Sequence, residues 1–182
     1  MSTQALIVVD IQNEYFPKGK LPLVGIEAAA ANAALVIESA RQKGHTIIHI
    51  RHEKPSADAS VFTPNSDGAA INEMVRPADG EPVIVKHYPN SFRDTPLKEI
   101  LDSAGIKEVT VIGAMSHMCI DATVRAAFDY GYQVTTVKDA CATMDLAFEG
   151  TTVPAAHVHA TIMAAFEFMA IDLVDTQTWL AR

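Results

Sequence analysis

The sequence predicts an α/β fold in three layers, with helices on both faces of a six-stranded, mainly parallel sheet in the Rossmann-like order 3-2-1-4-5-6. Three observations carry this expectation. Short runs rich in Val and Ile recur along the chain, continuous rather than alternating, as strands covered on both faces require. Between them lie stretches with helical spacing, several of which end at glycine. Polar residues capable of chemistry then fall where the runs stop, on the sheet edge where parallel folds carry their sites. The 182 residues are expected to form one domain, 1–182, long enough to bury a full core.

Taken in order, Ala5 to Val9 is the first strand, and it ends at Asp10. Pro17, Gly19 and Pro22 make Ile11 to Leu23 a loop. Gly25 to Lys43 is an Ala-rich helix with Ala33, Ile37 and Ala40 at helical spacing, closed by Gly44. His45 to Arg51 is the second strand. His52 to Gly80 shows no sustained period, so a long loop is expected there, with a short helical turn near Ala69 to Met74. Loops of that length inside a domain are usually functional, which makes this one a candidate pocket wall.

Pro82 to Val85 is the third strand and leads into Lys86. Thr95 is expected to cap a helix with Pro96 at its first position, running to Gly105. Val109 to Ile112 is strand four, followed by a helix from about His117 to Tyr130 that Gly131 stops. Tyr132 to Val137 is strand five. After a loop through Gly150, Pro154 to Met169 is a helix, Ala170 to Val174 the last strand, and Asp175 or Thr176 the cap of a final short helix.

Composition narrows the function. A net charge of −8 argues against nucleic acid or an anionic membrane as partner, since both require a basic face. No apolar run approaches the ~20 residues that span a bilayer. Met1 to Gln4 lacks a basic leader and cleavage site, so a cytoplasmic location is expected. In that compartment Cys119 and Cys141 are expected to be reduced. Cys119 opens the helix after strand four, where unpaired backbone N–H groups and the positive end of the dipole are expected to lower its pKa. Asp10, Lys86 and Cys119 all fall on one sheet edge. Singly, each has a plainer reading as a cap, a solvated strand end or a small core residue. Jointly they provide a nucleophile, a base and a cation.

Several motifs in order extend the match over nearly the whole chain. They are Val9-Asp10-Ile11-Gln12-Asn13, Lys86 with Asn90-Ser91-Phe92, and Gly113-Ala114-Met115-Ser116-His117-Met118-Cys119-Ile120, continued by Ala126-Ala127, Gly131-Tyr132 and Lys138-Asp139-Ala140-Cys141. In these the chain resembles the isochorismatase-like cysteine hydrolases, which include nicotinamidases, N-carbamoylsarcosine amidohydrolases, ureidoacrylate and biuret hydrolases, and isochorismatases proper. The resemblance implies a catalytic triad of Asp10, Lys86 and Cys119. It also implies an oxyanion hole from the amides of Met115 and Cys119, and a cis peptide between Ala114 and Met115. By position it places Gln12, Tyr15, Phe16, Phe92 and His117 near a small-molecule substrate, although an aromatic there can equally close the core and His117 can point to solvent. The family's habit of assembly implies a homodimer or higher homo-oligomer.

No metal or other cofactor is expected. A strand's period of two puts His45 and His49 on one face and His52 on the other, and the Asp-x-His pair that nicotinamidases use is missing from Ile50-Arg51-His52-Glu53-Lys54. Arg51 and His52 are read instead as pocket or interface residues, and Cys141 as structural. Isochorismatases proper, which cleave a vinyl ether, generally lack the cysteine, so Cys119 counts against that activity. A third reading is a non-enzymatic, redox-responsive thiol protein on the same fold, since an activated thiolate is open to oxidation; a pure binding module would have no need of the base at Asp10.

Overall fold

The structure, a computed structural model, describes residues 3–182, so the leader reading at Met1 and Ser2 lies outside the described residues. Strands β1 (Gln4–Val9), β2 (Thr46–His52), β3 (Val83–Lys86), β4 (Glu108–Ala114) and β5 (Gln133–Ala142) enter the main sheet, as does a last strand, β8 (Asp172–Val174). Between β5 and β8 lies a hairpin that the sequence did not suggest, β6 (Leu146–Phe148) with β7 (Thr151–Val153), in the stretch read as a plain loop. The sheet runs β3-β2-β1-β4-β5-β8, all parallel, which is the expected order with β8 as its sixth strand.

Among the described residues five α-helices cover the sheet: α1 (Ile26–Gln42), α2 (Leu97–Ser103), α3 (Asp121–Asp129), α4 (Ala155–Phe168) and α5 (Thr176–Leu180). Two apolar clusters fill the layers. Leu6, Val8 and Ile112 face Ala30, Ala33 and Ile37 of α1, with Trp179 of α5 alongside. Ile7, Val9 and Val111 face Leu97 and Leu101 of α2, Val124 of α3 and Phe166 of α4. Alternate residues of one strand serve opposite layers, which is why the runs read as continuous.

Local departures from the sequence reading have physical causes. The α2 helix begins at Leu97, with the Thr95 hydroxyl accepting from the Leu97 amide at 3.3 Å, so Pro96 sits just before the first turn. The turn foreseen near Ala69 to Met74 forms later, over Glu73–Val75, where the Asn72 side chain accepts from the Met74 amide. The β5 strand runs five residues beyond the expected Val137, because a register shift opposite Val111 to Gly113 lets it re-pair at Cys141 and Ala142. Within that shifted stretch the Asp139 carboxylate accepts from the Thr176 amide and hydroxyl, both at 2.8 Å, and ties β5 to the start of α5. Those ties are long-range and leave no local signature.

Gly113 marks a close crossing in the sheet. Its φ is 129°, and a Cβ there would lie 1.9 Å from the Val9 carbonyl oxygen. Only glycine lets β4 pass this close to the end of β1, one residue before Asp10. Gly113→Ala is expected to destabilise the fold by about 3 kcal/mol or more, through both strain and clash. A urea midpoint within error of the parent's, with full activity, would contradict this reading of the crossing.

Candidate active site

The parallel sheet delivers its chemistry to one edge. At the end of β1 the chain turns through Asp10, which adopts a left-handed φ of 51°, a conformation that Asp tolerates better than most residues. The Asp10 amide donates to the Ile50 carbonyl at 3.0 Å, and the Gln12 amide donates to the Asp10 carbonyl at 2.9 Å. Lys86 ends β3. The β2/β3 register pairs it with His52, the last residue of β2. Cys119 lies in a wide π-helical turn, Ser116–Ile120, inserted between β4 and α3 where a simple helix start was expected. The amides of Met118 and Ile120 both donate to the Met115 carbonyl, at 3.0 and 3.2 Å, and the Ala114–Met115 peptide that leads into this turn is cis.

These elements gather three side chains around one ammonium. The Lys86 Nζ lies 2.6 Å from Asp10 Oδ2, 3.2 Å from Cys119 Sγ and 3.3 Å from His52 Nδ1. Asp10 is 0% exposed, Lys86 1%, Cys119 5% and His52 8%. Burial raises the Asp10 pKa, against the opposing pull of Lys86. Burial also works against the charge on Lys86, but Asp10 and Cys119 together outweigh it and hold the ammonium charged. The Cys119 thiol is pushed up to about 12, by burial first and by the Asp10 carboxylate next.

That last direction corrects the expectation of a lowered thiol pKa. A helix start supplies only its dipole and free N–H groups. A Sγ that is 5% exposed and beside a carboxylate loses more from desolvation and repulsion than the dipole and Lys86 return. At rest the cluster holds a thiol, a carboxylate, an ammonium and a neutral imidazole, His52 being lowered to about 3 by burial and by Lys86. Such an arrangement can pass a proton from Sγ to the carboxylate while a fixed cation balances the charge that remains.

Asp10, His52 and Cys119 are the one set of metal-type ligands among the described residues whose donor atoms converge, within 4.8 Å of one another. They do not fit a metal. The Lys86 ammonium already lies against all three, and a dication would have to share that space with a buried positive charge. The other two histidines are placed elsewhere. The His45 ring meets Trp179 edge-on, and His49 Nε2 lies 2.9 Å from Glu81, whose carboxyl Arg41 holds down near 2.

The residues expected near substrate separate into distinct roles. Gln12 is fully buried with its amide engaged: Nε2 donates to the carbonyls of His52 (2.8 Å) and Ala69 (2.7 Å), and Oε1 accepts from the His52 amide (2.9 Å). It therefore fastens the long loop to the end of β2. Tyr15 is buried, its ring edge against Phe62, and burial with the charges of Asp10 and Cys119 raises its phenol well above the usual range. Phe16 packs into the core on the α1 side. Phe92 is buried in the same apolar layer as Cys119, its ring edge-on to Tyr130 and stacked with Tyr132, the core role allowed for an aromatic at that position. His117 is half-buried at the site's rim, its Nδ1 2.6 Å from the Thr143 hydroxyl.

Sequence reasoning did not single out Ser116, His159 or Thr143. The Ser116 hydroxyl lies 2.8 Å from His159 Nδ1 and 3.3 Å from the Ala142 carbonyl, tying the π-helical turn to α4 and β5. A cavity of about 590 Å³ lies to one side, lined by Asn13, Glu14, Phe16, Lys20, Asp67 and Asn72 among others, with no member of the buried cluster in its wall. Its buried carboxylate, Glu14, is already occupied by the Lys20 and Phe62 amides, which leaves the Lys86 cluster as the candidate site.

Replacing Lys86 with Met should cost about 3–5 kcal/mol, because it leaves Asp10 buried without its cation. The Asp10 carboxyl would then hold its proton to higher pH than it does unfolded. A raised folded pKa gives stability that is present below the unfolded pKa and lost as pH rises through the folded value. The deficit against the parent should therefore be larger at about pH 8 than at about pH 5 in urea unfolding. An equal deficit at both would contradict a buried, uncompensated Asp10.

A model of the isochorismatase domain matches residues 4–168. An uncharacterised isochorismatase family protein of Bacillus subtilis, YddQ, is 48% identical over 178 residues, which cover 98% of this chain and 99% of that one. Streptothricin hydrolase of Streptomyces noursei is 33% identical over 162 residues, covering 84% of this chain and 55% of that one. A crystal structure from Oleispira antarctica, assigned to the isochorismatase hydrolases, matches with a TM-score of 0.96 at 47% identity and covers 100% of both chains. The chain belongs to the isochorismatase family of hydrolases.

Proposed function

We propose that the protein is a cysteine-dependent hydrolase of a small amide, ureido or carbamoyl C–N bond. The observation that carries this reading is a buried thiol and a buried carboxylate sharing one lysine ammonium, 3.2 Å and 2.6 Å away. A structural cysteine needs neither neighbour, and a binding pocket has no use for a base beside a thiol.

In this reading Cys119 Sγ attacks the acyl carbon while its proton passes to Asp10, whose raised pKa makes it the stronger base. Lys86 stays charged and offsets the negative charge that moves between sulfur, carboxylate and substrate. The amides of Met115 and Cys119 receive the oxyanion. Collapse of the tetrahedral intermediate breaks the C–N bond, and the proton on Asp10 leaves with the nitrogen as ammonia or an amine. Water, deprotonated by Asp10, then cleaves the thioester, releasing the acid and restoring the thiol. The same reading takes the substrate to be a small molecule rather than a nucleic acid or membrane, consistent with the net charge of −8, and the enzyme to be a cytoplasmic homo-oligomer. None of the helices among the described residues is long and apolar enough to cross a membrane.

A panel of small amides, ureido and carbamoyl compounds, read by ammonia release, should reveal a substrate that Cys119→Ala turns over at least ~10³-fold more slowly. Equal turnover by the variant would refute the thiol mechanism. Pyruvate release from isochorismate by the same variant would point to vinyl-ether chemistry instead.

A further inference from the structure

We infer that His52 is a positioning residue of the active site: its neutral ring nitrogen Nδ1 accepts an N–H of Lys86 and so fixes the ammonium between Asp10 and Cys119. This deepens the proposed function and rests on it for the meaning of Lys86, although the contact itself is independent of any substrate.

An ammonium has three N–H donors and no lone pair. The Lys86 Nζ hydrogen-bonds Cys119 Sγ at 3.2 Å and His52 Nδ1 at 3.3 Å, and forms an ion pair with Asp10 Oδ2 at 2.6 Å. Because lysine can only donate, Nδ1 must be the bare nitrogen, and the proton of the neutral ring sits on Nε2. The ring is held for this task on three sides. The β2/β3 register sets His52 beside Lys86, Gln12 clamps the His52 amide and carbonyl, and the Phe62 ring stands edge-on at 5.4 Å. A protonated imidazole would place a second cation against Lys86. Burial and the charges of Lys86, Lys54 and His87 keep it neutral.

The consequence is a division of labour. Held by two hydrogen bonds and one ion pair, Lys86 is oriented and stays charged, so the thiol's proton goes to Asp10. Without the His52 acceptor, one N–H of a buried ammonium is left unpaired, the charged form is disfavoured, and Cys119 loses part of the cation that stabilises its thiolate.

The test compares His52→Phe, which keeps the ring shape and the Phe62 contact but has no acceptor, with His52→Asn, whose Oδ1 can replace Nδ1. Iodoacetamide alkylation of the Cys119 peptide, followed by mass spectrometry against pH, reads the thiolate with no substrate present and separates it from Cys141. His52→Phe should be alkylated about tenfold more slowly near neutral pH than the parent, and His52→Asn within about threefold of it. On any substrate found, the Phe variant should lose kcat with little change in KM. Nitrogen NMR of the parent, which needs no variant to fold, should show Nδ1 unprotonated from about pH 5 to pH 9. A proton on Nδ1, parental alkylation by a folded His52→Phe, or equal damage in the Phe and Asn variants would each overturn the inference. If instead Cys119→Ala keeps hydrolysing substrate while the alkylation pattern holds, the proposed mechanism fails and the His52 contact stands.

Discussion

The structure depends on one buried positive charge. Lys86 is 1% exposed, and such a charge is tolerable only when paired and fully hydrogen-bonded. Asp10 supplies the countercharge at 2.6 Å. Breaking a buried pair of this kind costs about 3–5 kcal/mol, a large fraction of the ~5–15 kcal/mol by which a domain is stable. The same pair that threatens the fold when broken makes the thiol usable. Burial and then Asp10 raise the thiol pKa, and Lys86 opposes that rise. The proton is thereby held on sulfur at rest, within reach of a base.

The scaffold is arranged to keep these groups in contact. Two strands must approach closely for Asp10 to face the turn that carries Cys119, and Gly113 permits it, its missing side chain leaving room for the Val9 carbonyl. Lys86 and His52 are register partners on neighbouring strands, so their contact follows from the pairing of β2 with β3. The long loop is drawn in by Gln12 and Glu14, which bond backbone groups at Ala69 and Phe62. The π-helical turn is braced from behind by Ser116 and His159. Each brace is a polar group spent on backbone or on a fixed partner, which is why Gln12 is not free for substrate.

The layered fold, its strand order and the convergence of Asp10, Lys86 and Cys119 were legible in the sequence because they follow from local signals. Continuous β-branched runs mark buried strands, and parallel strands bring their carboxyl ends to one edge. What was not legible depends on register, burial or contacts far apart in the chain. The His52 contact with Lys86 spans 34 positions and needs the β2/β3 register, which no short pattern encodes. The extension of β5 to Ala142 arises from an irregularity against β4. The direction of the Cys119 shift failed for the same reason: a helix start can be read from sequence, but the dryness around the sulfur cannot. The hairpin β6/β7 is only three residues per strand, too short for alternation to declare itself.

The central claim is that the acyl group of a substrate passes through the Cys119 sulfur. Rapid acid quench of the enzyme during turnover, followed by peptide mass spectrometry, tests it most directly. The account predicts a transient mass on the Cys119 peptide equal to the acyl part of the substrate, absent from the Cys141 peptide and from the Cys119→Ala variant. Product formation at full rate with the Cys119 peptide unmodified at every quench time, together with turnover by Cys119→Ala, would contradict it.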